Sequence, residues 1–166
     1  MSTGRRPQQN VELLRALTAA EFDFCIVGGV AAALHGSTRM TVDLDIAAPF
    51  DEDNLGRLLV ALSPHDPRHA TRPELRVADE SLARLTTFRM LLIETTLGRL
   101  DVLRDVSPLG KFSELRTVTM DLGSLRCAVV SIDDLITIKR SLPRPKDREV
   151  ALELEAIRAS RTPDVS

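Results

Sequence analysis

The stretch Val27-Gly28-Gly29-Val30-Ala31, together with Thr41-Val42-Asp43-Leu44-Asp45-Ile46-Ala47, decides how the rest of the chain is read. An apolar run over 24–27 stops at two glycines, and a helical pattern then follows over 30–34 until Gly36 ends it. Residues 42–47 alternate apolar and acidic side chains up to Pro49, the signature of a strand with one polar face. Side chains two apart on a strand point the same way, so Asp43 and Asp45 project together while Val42, Leu44 and Ile46 take the other face. Two carboxylates on one face repel unless a positive charge stands between them, and a hard divalent cation with oxygen ligands is the usual one. Taken alone, an Asp-x-Asp is more often a solvated face, and a Gly-Gly more often a tight turn made for packing.

A third acid changes that balance. Asp101 stands among Leu100, Val102 and Leu103 on a strand predicted to join the same sheet. Three acids on one sheet face suit in-line phosphoryl transfer, in which two metal ions about 4 Å apart hold the attacking and leaving oxygens. Asp101 would also be placed to take the proton of an acceptor hydroxyl. Gly28 and Gly29 would let the backbone approach phosphates, at the start of a helix whose first amides face an anion.

Outward from this centre, 11–22 sets Leu13, Leu14, Leu17 and Ala20 on one helical face. Asp51 or Asp53 caps a helix that carries Leu55, Leu58, Leu59 and Leu62 inward, and Pro64 and Pro67 end it. Residues 63–81, rich in Pro, Arg, His and Asp without a clear period, are expected to form a long loop or lid. Two antiparallel hairpins are predicted, 87–96 with 98–103 around Gly98, and 117–121 with 125–130 around Gly123. Ser131 followed by Asp134 resembles a capping box with Asp in place of Glu, and a second helix runs from near Pro145 to about Ala159. The organisation expected is a flexible start over 1–10, one domain over 11–160 whose 131–160 part is helical, and a flexible tail over 161–166.

A chain of 166 residues can bury roughly 70% of the surface exposed when unfolded, enough for one core. The formal net charge of -2 provides no field to draw in nucleic acid or membrane. No apolar run approaches the roughly 20 residues of a membrane helix, and Glu12, Arg15 and Glu21 interrupt the segment where a signal peptide would be apolar, so a cytoplasmic protein without membrane contact is expected. Cys25 and Cys127 lie in apolar, strand-like stretches and read as buried reduced thiols. Lysine is scarce, which draws attention to Lys139 and Lys146 at a junction between helices as phosphate ligands. Arg39, between glycines and acids, reads as a triphosphate ligand or as the partner of an acid. His35 reads as a helix-end residue, and Arg68, Arg72 and Arg76 as a solvated stretch or a guide for an anionic acceptor.

The run Val27 to Ala31 with His35-Gly36, Arg39, Thr41, Asp43 and Asp45 resembles the first motif of the nucleotidyltransferase superfamily related to DNA polymerase beta. It is most similar to the bacterial branch with Gly-Gly in that motif, which includes AbiEii-type toxins and aminoglycoside nucleotidyltransferases. Arg99 to Leu103 is similar to the segment bearing the family's third carboxylate, at Asp101, and the pattern Lys139, Arg144, Lys146, Asp147 to that of uncharacterised members. The resemblance implies an α+β fold, a mixed sheet with helices packed mainly on one face. It implies a nucleoside triphosphate donor and magnesium, with two ions when the donor is bound. Gly28 and Gly29 would cradle the triphosphate, Asp43 and Asp45 would bind metal, and Asp101 would bind metal and serve as base. The family's commoner Gly-Ser is absent, since Gly29 replaces the serine, which leaves backbone amides or Arg39 to hold phosphate. The acceptor implied is RNA, a protein or an aminoglycoside-like small molecule, and an antitoxin or second subunit is an admissible partner. The alternative is a catalytically silent member that binds a nucleotide or a partner chain.

Overall fold

The computed structural model describes residues 8–161; of the ends expected to be flexible, 1–7 and 162–166 lie outside the described residues. The helices are α1 (Asn10–Ala19), α2 (Gly28–Leu34), α3 (Glu52–Leu62), α4 (Leu82–Leu85), α5 (Ile132–Ser141) and α6 (Pro145–Arg161). The strands are β1 (Cys25–Val27), β2 (Leu44–Ala47), β3 (Arg68–His69), β4 (Arg72–Arg76), β5 (Met90–Thr95), β6 (Gly98–Leu103), β7 (Asp105–Val106), β8 (Gly110–Lys111), β9 (Thr117–Leu122) and β10 (Leu125–Val130). Eight strands form one mixed sheet in the order β4-β3-β5-β6-β2-β1-β10-β9, and β7 pairs with β8 separately. Both expected hairpins are present as antiparallel β5–β6 and β9–β10, while β1–β10 and β2–β6 are parallel.

Alternation along the strands separates the two faces. Leu44, Ile46, Leu91, Ile93, Leu100, Val102 and Val129 are almost wholly buried, in one core with Leu13, Leu14 and Leu17 of α1 and Leu55, Leu58 and Leu62 of α3. The opposite face carries Leu92, Glu94, Arg99 and Asp101 and stays partly open. Cys25 and Cys127 are free and buried, and loss of hydration pushes the Cys25 thiol up to about 12. Asp51, not Asp53, caps α3 by accepting from the Asn54 amide at 2.8 Å. Among the described residues no helix is long and apolar enough to cross a membrane.

Three expectations need correction. Residues 63–81 are not a lid: β3 and β4 lie within them and extend the sheet by antiparallel pairing of β3 to β5. Residues 42 and 43 precede the strand, which begins at Leu44, and Val42 is 48% exposed rather than buried. The capping box is only half formed. Ser131 Oγ accepts from the Asp134 amide at 3.2 Å, but the Asp134 carboxylate accepts from the Arg116 amide at 2.7 Å and from the Arg116 guanidinium. The Ser131 amide donates instead to the Arg116 carbonyl at 2.8 Å. Asp is one methylene shorter than Glu, and Arg116 in the chain leading into β9 offers the nearer partners. Loss of the cap through Ser131→Ala is expected to lower stability by about 1 kcal/mol, measured as a fall in the urea midpoint at unchanged slope.

Within the start expected to be flexible, Gln8 and Gln9 hydrogen-bond to the β5–β6 turn. Gln8 donates to the Arg99 carbonyl and accepts from its amide, each at 2.8 Å, and the Gln9 amide donates to the Leu97 carbonyl.

Candidate active site

The acids meet because β2 and β6 are parallel neighbours in register. Asp45 lies beside Asp101, one step of the pairing from Leu44 beside Leu100. Neighbouring strands run roughly 4.8 Å apart, so the two carboxylates share one face at close range, while Leu44, Ile46, Leu100 and Val102 anchor both strands in the core behind them. The Asp45 carboxyl is pushed up from 3.8 to about 6, by burial first and then by the negative charges of Asp101 and Asp43; Lys139 pulls it back. Asp101 is not bare: Arg99 Nε donates to its Oδ1 at 2.7 Å. Asp43, in the bend before β2, lines the same cavity. Among the described residues no group of three or more His, Cys, Asp and Glu side chains is placed so as to hold a metal ion as it stands.

The glycine pair is fixed by close approach. Gly28 has φ +67, and a Cβ there would stand 2.9 Å from the Asp45 Cβ; one on Gly29 would stand 2.8 Å from the Thr41 Cβ. The turn is therefore pressed against the acid-bearing segment, which is the packing reason for glycine at both positions. The cavity that the acids line, of about 600 Å³, is also lined by Lys139 from α5, Arg144 from the link and Lys146 and Asp147 from α6, together with Gly29, Arg39 and Thr41. Gly28 is not among its lining residues. Arg39 pairs with Glu149 of α6 at the rim, so it takes the acid-partner role. His35 is 2% exposed at the end of α2, its Nε2 donating to the Val130 carbonyl at 2.8 Å, and burial holds its pKa below the usual value. It has a structural place and no opening to the cavity. Arg68 and Arg72 pair with Asp66 and Glu74 along β3 and β4.

Neither a family model nor a curated protein matches the chain at the level of sequence. Solved structures do match it. A lincosamide antibiotic adenylyltransferase, LnuA, bound to lincomycin superposes with a TM-score of 0.58 at 13% identity, over 91% of this chain and 99% of that one. The antibiotic-resistance factor ANT(2'')-Ia gives 0.54 at 16% identity over 92% and 88%. A nucleotidyltransferase-like antigenic protein of Paracoccidioides brasiliensis gives 0.54 at 16% identity over 91% and 77%. The chain has the nucleotidyltransferase fold. At these identities the likeness concerns the fold alone.

In this nucleotidyltransferase-fold chain the tertiary structure adds residues that the sequence pattern does not single out as ligands. Asp147 is 2% exposed and bonds two of the cavity's cations: its Oδ1 accepts from Lys139 Nζ at 3.4 Å and its Oδ2 from Arg144 Nε at 2.8 Å. Its pKa is held down by Arg144 and Lys139 against the opposing effect of burial. The sequence signal was present in the tail pattern, but eight positions separate Lys139 and Asp147 across the break between α5 and α6. Asp147→Asn removes the buried charge that pairs with Lys139 and Arg144, and is expected to lower stability by about 2 kcal/mol, the usual scale for a lost charged hydrogen bond, measured as a fall in the urea midpoint at unchanged slope. Arg99 is the second addition, as the partner of Asp101.

Proposed function

We propose that this chain is a magnesium-dependent nucleotidyltransferase that moves a nucleoside monophosphate from a nucleoside triphosphate to a hydroxyl of a small-molecule acceptor. The observation that carries the reading is the in-register pair Asp45 and Asp101, on a cavity also lined by Lys139, Arg144 and Lys146. Carboxylates and cations that line one cavity suit a metal-bound polyphosphate. The donor set fits a hard cation: Asp45 and Asp101 offer carboxylate oxygens, and the like charge that raises Asp45 is what a divalent ion relieves. Asp43 would complete the set by turning in from its bend. Magnesium, when bound, would neutralise the phosphates and polarise the α-phosphorus.

Lys139, Arg144 and Lys146 hold the β- and γ-phosphates in this reading, with Arg39 reaching them on release from Glu149 and Gly29 bringing backbone close to the same group, while Gly28 lets the turn pack against Asp45. The acceptor oxygen forms a bond to the α-phosphorus while the bond from that phosphorus to the bridging oxygen breaks. Pyrophosphate leaves, and the hydroxyl proton passes to Asp101 and on to water. Lincomycin and adenylyl-2''-tobramycin occupy two of the neighbouring structures, which favours a small molecule over the RNA or protein acceptor of a toxin.

One observation favours the silent alternative: the Arg99 guanidinium already neutralises Asp101. Calorimetry with ATP and with CTP, with and without magnesium, followed by label transfer from the α-labelled triphosphate to pooled small molecules, separates the two. Magnesium-dependent binding together with transfer supports the enzyme; binding with no transfer to any acceptor supports the silent form.

A further inference from the structure

We infer that Glu149 of α6 competes with the polyphosphate for Arg39, and so sets how tightly the donor and the leaving pyrophosphate are held. The inference rests on the transferase reading above and adds a positioning residue to the same site, one that acts through Arg39 and touches no substrate itself. Arg39 lines the acid cavity, whereas its partner Glu149 is not among the lining residues. The ion pair therefore draws the guanidinium outward to the rim. Both ends of the segment that carries Arg39 are fixed. On one side the Thr38 amide and hydroxyl donate to the two carboxylate oxygens of Glu153, at 2.7 and 3.2 Å, and the Arg39 amide donates to Ser37 Oγ at 3.3 Å. On the other, Thr41 is pressed against Gly29, where a Cβ would stand 2.8 Å from the Thr41 Cβ. With the backbone held at Thr38 and Thr41, the part free to change place is the Arg39 side chain.

The acids of α6 hold the cavity's cations in two different ways. Asp147 is buried, so taking Lys139 and Arg144 away from it would leave a buried charge without a partner, at a large cost. Lysine has three donors and arginine five, and both can bind phosphate without leaving Asp147. The Arg39–Glu149 pair lies open, its side chains 44% and 62% exposed. Exposed pairs are weak, and Glu149 left alone is hydrated instead of stranded. A phosphate group inside the cavity offers Arg39 a bidentate partner of higher charge. Arg39 thus passes to the β- and γ-phosphates when a triphosphate binds, and returns to Glu149 as pyrophosphate leaves. The competition weakens the binding of both, and it speeds departure of the product, a step that often limits kcat. A monophosphate has no β- or γ-group, leaves Arg39 where it is and is indifferent to Glu149.

The test is calorimetry on the whole protein with magnesium and three probes: ATP, pyrophosphate and AMP. Glu149→Gln is expected to tighten the binding of ATP and pyrophosphate about threefold, the scale of an exposed ion pair, and to leave that of AMP unchanged. In an Arg39→Gln background the same substitution is expected to change none of the three, since the group competed for is gone. Tightening that persists without Arg39, or that extends equally to AMP, is the general effect of removing a negative charge near the cavity, and it overturns the role assigned to Glu149. Unchanged affinity for ATP and pyrophosphate in Glu149→Gln overturns it too. The thermal midpoint checks folding, and Glu149→Ser provides a second variant with the same expected shifts. The parent protein separates this inference from the wider reading. Magnesium-dependent binding of ATP and pyrophosphate with no response to Glu149→Gln refutes the competition alone, and no binding of either by the parent refutes the transferase reading and the competition with it.

Discussion

Asp101→Asn is expected to lower kcat/KM for nucleotidyl transfer by about a thousandfold or more, equivalent to about 4 kcal/mol of transition-state stabilisation. The substitution keeps the size of the side chain and an oxygen that can accept from Arg99 Nε, so the fold and the 2.7 Å contact have no reason to change. In the proposed transferase it would remove a charge that holds metal beside Asp45 and the base that would take the acceptor proton. Both losses fall on the transition state, where charge builds at the reacting phosphorus, so kcat is expected to fall more than KM rises. Initial rates of label transfer, with the thermal midpoint as a control for folding, measure it. A variant with near-parental rates at a normal midpoint would remove Asp101 from the chemistry.

Asp45→Asn is expected to stabilise the metal-free protein at pH 8 while removing activity. The Asp45 carboxyl has its folded-state pKa raised from 3.8 to about 6, chiefly by burial and then by Asp101 and Asp43. The sign follows from linkage: the folded state binds the proton more tightly than the unfolded one, so this group favours folding below pH 4, and the benefit is lost as pH rises to about 6. Above that pH the parent holds an ionised carboxylate among two others, and Asn does not. Each pKa unit is worth about 1.4 kcal/mol; with a discount for the partial exposure of the side chain, the expected gain is about 2 kcal/mol at pH 8 and near zero at pH 4. For a chain of this size that is a rise of ~4–8 °C in Tm. Magnesium is expected to raise the Tm of the parent and leave that of the variant unmoved, which narrows the difference. Equal midpoints at pH 8 without metal would show that the acids do not repel one another as their placement requires.

Acids set close together against the preference of folding are also what made these aspartates legible in the sequence. An acid at Asp45 between Leu44 and Ile46, and another at Asp101 between Leu100 and Val102, stands out against buried apolar neighbours on either side. Local signals were equally clear where they depend on near neighbours. Gly98 and Gly123, both at positive φ, mark the turns of the two hairpins, and the spacing of Leu13, Leu14 and Leu17 marks the buried face of α1. The edge strands were not legible. β3 has two residues and β4 has five, all of β4 exposed, so neither shows alternation, and what makes them strands is the pairing of Arg68 and His69 with Glu94 and Ile93 far along the chain. Asp147 was visible in the tail pattern, but its role was hidden for the same kind of reason: a buried acid between two cations is recognisable only after α6 has folded back on α5.

The sequence by itself determined the acids, the glycine turn, the hairpins and the apolar faces, because each depends on a few adjacent side chains and the period of the backbone they sit on. The tertiary structure decided what those pieces face. Parallel pairing of β2 with β6 is what sets Asp45 beside Asp101, and the packing of α6 on α5 is what turns Lys139 and Arg144 towards them. Contacts between segments so distant in the chain are chosen by burial of the shared apolar core, a property of the whole molecule that no local pattern encodes.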